Sequence, residues 1–302
     1  MAEKTVQYSV IDAFTQSPFK GNPAAVCLLE EERDDAWMRS VALEFNIALT
    51  AFLTRITPSV DSENHDRNQR FGLRWFTRGT EVKICGHATL AAAHFLFTSG
   101  LATTNTIEFL TKSGLLTARR VDGFKQPGTL ASLNENAEEL FSIELDFPTI
   151  PLIECNPEEH PSIPRTLNGV PMINIKKAAI LDDLVVELSS GNAVAELQPQ
   201  FDELQECAGR GVIITGLAPP GSGFDFCTRF FCPKLGVNED AVCGSAHCAL
   251  APYWSKKLGK HDLIAYMASP RGGRLDLHLE ETTQRVLIRG EAVTIMSGLI
   301  LV

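Results

Sequence analysis

Long apolar runs are absent from the 302-residue sequence. No stretch approaches the roughly eighteen apolar residues of a membrane-spanning helix, and the first residues show no secretion-signal or transit-peptide pattern. Basic side chains are also in the minority, with 27 Lys and Arg against 37 Asp and Glu and a formal net charge of −10. Nucleic acids and anionic membranes bind to basic faces, which this composition does not favour. We therefore expect a soluble cytosolic protein with no nucleic-acid or membrane partner.

Sequence motifs for metals and nucleotides are missing as well. The eight cysteines include no Cys-x-x-Cys pair, and no His-Glu-x-x-His or other clustered ligand set occurs. The glycine-rich stretches lack the spacings of Rossmann and P-loop nucleotide sites. Without a secretion signal, the cysteines are expected to be reduced thiols, most of them small core residues. The sequence thus predicts no metal and no cofactor.

What the chain does have is ordinary globular composition, with 44% apolar and 21% charged residues. At roughly 100–200 residues per domain, its length predicts two domains or one large one. Many short strand patterns occur with only a few helical ones, which favours an α+β architecture over a helix-wound parallel sheet. A polar segment at residues 132–136 is a candidate linker. We place one half at 1–133 plus about 288–302, and the other at 134–287.

One pattern occurs twice, once in each half. Its two copies are Arg74-Trp75-Phe76 with Cys85-Gly86-His87-Ala88, and Arg229-Phe230-Phe231 with Cys243-Gly244-Ser245-Ala246. Each copy reads Arg-aromatic-Phe, a short segment, Cys-Gly-x-Ala and an alanine-rich helical pattern. The two cysteines lie 158 positions apart, about half of the chain. We interpret the pattern as a duplication that puts one thiol at the start of a helix in each half. The alternative is chance similarity between two alanine-rich helices.

A cysteine at a helix start is suited to acid–base chemistry. The unpaired backbone N–H groups there stabilise a thiolate and bind carboxylates. Glycine at Gly86 and Gly244 lets a ligand approach the backbone. If the halves face each other, Cys85 and Cys243 would flank a cleft. One thiolate would then remove a proton from a carbon, and the opposing thiol would return one to the other face. Such chemistry is racemisation or epimerisation without a cofactor; the alternative is that both thiols are inert packing residues.

Several motifs together resemble a known family. They are Phe19-x-Gly21-Asn22-Pro23, Arg74-Trp75-Phe76-Thr77, Cys85-Gly86-His87-Ala88-Thr89, Glu239-Asp240, Gly244-Ser245-Ala246-His247 and Arg271-Gly272-Gly273. The chain is similar in them to the phenazine biosynthesis PhzF-like family, which shares the diaminopimelate epimerase fold. The resemblance implies two pseudo-symmetric domains, each a curved sheet around a central helix, with the active site in the cleft between them. It also implies a homodimer and cofactor-free isomerase chemistry. The two-thiol interpretation adds a small-molecule carboxylate or amino-acid-like substrate.

Two of the chain's departures from the family concern acid–base chemistry. The family's catalytic acid/base is a glutamate in an Asn-x-Ser-Glu-Thr-Ala-Phe motif, and here Leu49 occupies the glutamate position. A leucine cannot carry a proton. Cys243 stands where the family usually has threonine, and with Cys85 it is similar to the paired thiols of diaminopimelate epimerase and proline racemase. We therefore hypothesise a switched chemistry, in which two thiols replace the glutamate.

These considerations give a set of candidate site residues. Cys85, Cys243 and Asp240 are predicted to be catalytic, with Asp240 orienting a substrate amine or complementing the helix dipole. The predicted substrate-binding residues are Asn22, Gly86, His87, Gly244 and Ser245. His87 and Asp240 are polar active-site positions by the family resemblance, whereas Asn22 can also simply complete a Gly-Asn-Pro turn.

Two alternatives to a two-thiol racemase or epimerase remain open. One is a PhzF-like isomerase or tautomerase that uses Asp240, His87 or a single thiol as its acid/base. The other is a non-catalytic protein that binds a small molecule and has lost the family glutamate at Leu49.

Overall fold

The chain forms two compact units in the computed structural model, which describes residues 5–56, 69–123, 141–155, 163 and 167–302. The first unit comprises the described parts of Met1–Pro18, Pro23–Asp146 and Arg289–Val302. The second comprises those of Phe19–Asn22 and Phe147–Ile288. The predicted linker at 132–136 lies outside the described residues.

The described residues in the first half of the chain form eight strands and two helices. In order they are β1 (Thr5–Ala13), β2 (Asn22–Leu29), α1 (Asp35–Phe45), β3 (Leu49–Arg55), β4 (Gln69–Phe76), β5 (Glu81–Val82), α2 (Gly86–Thr98), β6 (Thr106–Thr111), β7 (Gly114–Asp122) and β8 (Phe141–Pro148). Helix α1 begins as its sequence predicts, since the Asp34 carboxylate accepts a hydrogen bond from the Trp37 N–H.

The second half continues with short strands and three described helices. They are β9 (Leu152–Glu154), β10 (Met172–Ala178), β11 (Asp183–Leu188), α3 (Gly191–Glu196), α4 (Phe201–Glu206), β12 (Gly211–Leu217), β13 (Phe226–Cys232), β14 (Val237–Asp240), α5 (Gly244–Leu258), β15 (Asp262–Met267), β16 (Gly273–Glu280) and β17 (Arg285–Gly290). Strand β18 (Ala292–Leu301) then returns to the first unit, where it pairs antiparallel with β1.

The boundary between the units differs from the predicted one. Strand β8 pairs antiparallel with β7, with Asp146 opposite Thr117, so these hydrogen bonds keep the chain in the first unit beyond residue 134. The short segment Phe19–Asn22 belongs to the second unit instead. One reason is that the Gly21 N–H donates to the Gly272 carbonyl over 3.0 Å.

The two units repeat one strand arrangement. In the first, β2 runs parallel to β3, β3 antiparallel to β4, and β4 pairs with β5 and β6 before β6 pairs with β7. In the second, β11, β12, β13, β14, β15 and β16 take the same places with the same strand directions. The predicted α+β architecture with two pseudo-symmetric domains is therefore confirmed.

Each unit wraps its strands around one helix. Every residue of α2 from Gly86 to Phe97 is buried, and the helix contacts β1, β3, β7 and β18. Its alanines allow the strands to approach closely, as expected of a mostly apolar helix that is buried on all sides. Helix α5 contacts β15 and β16, and the Trp254 indole N–H donates to Thr215 Oγ1 on β12 over 2.9 Å. In the part of the chain that the structure describes, no helix combines the length and hydrophobicity needed to cross a membrane.

A proline inside α5 provides an attachment point for another segment. Pro252 has no N–H, so the carbonyl of Cys248, four residues earlier, lacks its usual helical donor. That carbonyl instead accepts a hydrogen bond from the Ile150 N–H over 2.9 Å. This bond satisfies both the Cys248 carbonyl and the Ile150 N–H inside the second unit.

Gly290 tests how tightly the first unit packs around α2. A Cβ at this position would lie 2.4 Å from Phe14 Cδ1 and 2.9 Å from Leu90 Cδ1, both in buried side chains. We expect Gly290→Ala to lower the free energy of unfolding by about 1–3 kcal/mol, because overpacking displaces these neighbours. Urea denaturation measures this change. Gly79→Ala is the control, since a Cβ there meets nothing within 4 Å; equal losses in both variants would contradict the prediction.

Candidate active site

Cys85 and Cys243 occupy the same local position in their respective units. Cys85 is the N-cap residue of α2 and Cys243 that of α5, each with an extended backbone conformation. Both thiols are buried, with exposed fractions of 8% and 5%. The predicted placement of one thiol at each helix start is therefore confirmed. Gly86 and Gly244 follow as the first helical residues, so their N–H groups belong to the unpaired set at the helix start.

Each thiol has a polar partner two residues further along the chain. Cys85 Sγ lies 3.4 Å from His87 Nδ1, and Cys243 Sγ lies 3.3 Å from Ser245 Oγ. The two partners differ in chemistry, because an imidazole exchanges protons near neutral pH whereas a hydroxyl does not. His87 is buried rather than solvent-facing. The first unit thus holds a thiol–imidazole pair, and the second a thiol–hydroxyl pair.

The surroundings of Cys243 favour the protonated thiol. Burial raises its pKa well above the ordinary value, and the negative charge of Asp240 raises it further. Hydrogen bonds from the Ser245 hydroxyl and the Ala246 N–H act in the opposite direction and are outweighed. The sequence led us to expect a stabilised thiolate at both helix starts. At Cys243 that expectation is wrong, because desolvation exceeds the stabilisation that the helix N–H groups give.

Asp240 is the last residue of β14. Its Oδ1 accepts a hydrogen bond of 2.5 Å from the side-chain amide of Asn22. The same amide nitrogen donates to the Val242 carbonyl over 2.9 Å. Asn22 is 1% exposed. The amide hydrogens of this predicted substrate-binding residue are therefore used to hold the segment between Asp240 and Cys243.

Further hydrogen bonds fix the same segment from outside. Arg271 donates to the carbonyls of Gly21 (2.8 Å) and Lys20 (2.9 Å), which secures the turn that presents Asn22. The Ser269 hydroxyl donates to the Ala241 carbonyl over 2.7 Å. The Gly21-Asn22 and Arg271-Gly272-Gly273 motifs thus meet at the entrance to α5. Sequence reasoning missed Ser269, although its position two residues before Arg271 was an available signal.

His247 stabilises the helix start from inside α5. Burial lowers its pKa to about 4, so the ring is neutral at pH 7. Its Nδ1–H donates to the Cys243 carbonyl over 2.7 Å. Among the described residues, no hydrogen-bonding partner lies near its Nε2. The contacts agree with a structural role for His247, namely holding the backbone of Cys243.

Leu49 begins β3 and pairs in register with Ala24 on the parallel strand β2. Its half-buried side chain has no group that can bind or release a proton.

Among the described residues, no group of three or more His, Cys, Asp or Glu is arranged to hold a metal ion. All eight cysteines are free thiols.

Comparisons with known proteins agree with this arrangement. The family model described as phenazine biosynthesis-like protein, PhzC-PhzF, matches residues 11–298. A relative from Halalkalibacterium halodurans, named an uncharacterized isomerase, is 39% identical over 97% of each chain. The crystal structure of a PhzF-family protein from Enterococcus faecalis superimposes with a TM-score of 0.80 at 34% identity, covering 99% of this chain and 100% of the other.

A more distant likeness concerns the fold alone. The crystal structure of a hydroxyproline epimerase from Agrobacterium vitis has a TM-score of 0.56 at 11% identity, covering 100% of this chain and 94% of the other. This chain therefore shares one fold with both the PhzF-family and the epimerase structures, as the family resemblance implies. The match of the family model over nearly the whole chain shows that this protein belongs to the phenazine biosynthesis-like, or PhzC-PhzF, family.

Proposed function

We propose that the protein is a cofactor-independent isomerase that moves a proton at the α-carbon of an amino acid or a related small carboxylate. In this proposal Cys85 and Cys243 form the acid–base pair. The observation that carries it is the equivalence of the two thiols: each is a buried N-cap residue with a polar partner two residues on. Support also comes from a relative named an isomerase and from a fold neighbour named a hydroxyproline epimerase.

The two thiols would begin the reaction in different protonation states. His87 Nδ1 lies within reach of Cys85 Sγ and accepts its proton, leaving a thiolate that removes the α-proton of the substrate. Cys243 keeps its proton because burial and Asp240 raise its pKa. It then donates that proton to the opposite face of the carbon. One C–H bond breaks and another forms, so the step involves no net oxidation, and the reverse reaction exchanges the two roles.

The helix starts would stabilise the intermediate. Loss of the α-proton places negative charge on the substrate carboxylate as an enediolate. The backbone N–H groups at Gly86 and Gly244 stabilise such charge, because they are unpaired and carry the positive end of the helix dipole. The Ser245 hydroxyl adds a donor, and Asp240 binds a substrate ammonium group. Leu49 has no side-chain group that carries a proton, which agrees with the assignment of proton transfer to the two cysteines.

A second candidate function is an isomerase that uses the Cys85–His87 pair alone. The raised pKa of Cys243 favours this candidate, because it makes Cys243 a poor base. A single-base enzyme returns the proton to the face from which it came or to another atom of the substrate. It therefore tolerates the loss of Cys243, which the two-thiol mechanism does not.

Solvent-hydrogen exchange distinguishes these candidates. Reduced protein is incubated in D₂O with L- and D-amino acids and related carboxylates, and deuterium at the α-carbon is followed by NMR. We expect Cys85→Ser and Cys243→Ser each to lower exchange at least about 100-fold, the usual effect of losing a general acid or base. Cys248→Ala, which removes a buried thiol within α5, is expected to retain exchange.

Each other outcome has a defined meaning. Loss of exchange in Cys85→Ser alone would support the single-base candidate. If the unsubstituted protein exchanges no compound while a ligand from the same panel raises its melting temperature, the isomerase proposal is wrong and a binding role replaces it.

The proton donor role of Cys243 gives a separate prediction. Asp240→Asn removes a nearby negative charge, which lowers the pKa of Cys243 and increases its thiolate fraction at pH 8. We expect iodoacetamide to modify Cys243 about three- to tenfold faster in this variant, since alkylation follows the thiolate. Peptide mass spectrometry measures the rate at each cysteine. Asp276→Asn, at a carboxylate paired with Arg274, is the control; an unchanged Cys243 rate in Asp240→Asn would contradict the assignment.

A further inference from the structure

Arg74 and Arg229, the arginines of the duplicated motif, make the same bidentate ion pair in the two units. Arg74 donates from Nε and Nη2 to Oε1 and Oε2 of Glu81, over 2.9 and 2.6 Å. Arg229 donates from the same two nitrogens to Oε1 and Oε2 of Glu239, over 2.7 and 2.9 Å. Both pairs therefore use the same edge of the guanidinium in the same orientation.

The strand register of the two pairs is also the same. Glu81 on β5 lies opposite Phe76 on β4, and Glu239 on β14 lies opposite Phe231 on β13. Each arginine precedes its phenylalanine by two residues, so the three side chains share one face of the strand pair. The guanidinium carbon lies 5.1 Å from the Phe76 ring centroid in the first unit and 4.8 Å from that of Phe231 in the second.

Both glutamates lie four residues before an N-cap cysteine. Glu81 is followed by Cys85 and Glu239 by Cys243. Strands β5 and β14 are short, of two and four residues, so few ladder hydrogen bonds hold them. The ion pair therefore attaches the segment that carries the thiol to the start of its helix, and in the second unit it does so together with the hydrogen bonds from Asn22 and Ser269.

Each arginine extends this attachment to a neighbouring helix. Arg74 Nη2 also donates to Asp35 Oδ1 in the first turn of α1, over 2.6 Å. Arg229 Nη1 donates to the carbonyl of Leu197, the C-cap residue of α3, over 2.6 Å. The side chains of both arginines are largely buried, as are those of the two glutamates. Bidentate pairs with this degree of burial impose a defined geometry on the groups they join.

We propose that Arg74–Glu81 and Arg229–Glu239 are positioning pairs, each of which sets the place of the thiol at its own helix start. The idea rests on the proposed function, because it assigns the pairs to the two proton-transfer groups. Arg74 and Arg229 act through the cysteine segments and do not touch substrate. A displacement of about 1 Å in a reacting group is enough to slow catalysis strongly, so a fixed attachment at this point matters for the rate.

Site-resolved alkylation tests the proposal without any substrate. Arg74→Gln is expected to raise the iodoacetamide rate at Cys85 about tenfold while leaving Cys243 unchanged, because freeing the segment exposes a buried thiol. Arg229→Gln is expected to raise the rate at Cys243 about tenfold while leaving Cys85 unchanged. Cys27 in β2 and Cys248 in α5 are internal controls, since both thiols are buried in the same two units. General destabilisation of a unit would expose its control thiol as well.

Two further sets of variants complete the experiment. Arg70→Gln and Arg274→Gln remove ion pairs from β4 and β16 and are expected to leave both site thiols unchanged. Arg229→Lys retains the charge but not the planar fork, so it is expected to resemble Arg229→Gln. In the exchange assay, both arginine-to-glutamine variants should lower kcat about tenfold or more with little change in KM.

The outcomes separate this inference from the proposed function. An unchanged alkylation rate at the linked cysteine, or a parallel rise at Cys27 or Cys248, overturns the positioning role whether or not the protein exchanges α-protons. A selective rise at the linked cysteine in a protein that exchanges nothing supports the positioning role while the proposed function fails.

Discussion

A helix enclosed by strands is the constraint on which the rest of each unit depends. Helix α2 is buried along nearly its whole length, so most of its side chains are small or apolar. The first N–H groups of any helix have no partner within it, and at an enclosed end they need an acceptor from another source. Alanine and glycine near the start permit the close approach of an acceptor, and in the proposed function the substrate carboxylate is that acceptor. The fold thus produces a potential anion site at each helix start before any catalytic side chain is considered.

The same frame carries different chemistry in its two copies. At α2 the N-cap thiol adjoins an imidazole, whereas at α5 it adjoins a hydroxyl and lies close enough to Asp240 to be affected by its charge. The differences lie in the residue two positions after each cysteine, His87 or Ser245, and in the Asp240 carboxylate three positions before Cys243. In the proposed mechanism the duplicated scaffold supplies a base from one copy and an acid from the other, because local substitutions change the proton affinity of a thiol without changing its place at the helix start.

The duplicated motif and the family resemblance were sufficient to predict the α+β fold, the two similar units and the position of each cysteine. They did not predict the partner of either arginine, because Arg74 precedes Glu81 by seven residues and Arg229 precedes Glu239 by ten. The equivalence of the two ion pairs appears only in the strand register, in which Glu81 lies opposite Phe76 and Glu239 lies opposite Phe231. The contact between Asn22 and Asp240 spans 218 positions and could not be inferred from spacing. The pKa of Cys243 depends on burial, which sequence alone does not quantify.

The positioning pairs also explain how the chemistry of such a site can change while its geometry is retained. Neither pair involves Leu49 or the side chain of either cysteine. Both attachments are therefore compatible with the two replacements that the family resemblance implies, of a glutamate by Leu49 and of a threonine by Cys243. A new acid–base group then enters a segment that is already held to its strand and to a neighbouring helix. Since accurate placement contributes a large part of a catalytic rate, a single substitution at a fixed helix start can introduce a new proton carrier without a new scaffold.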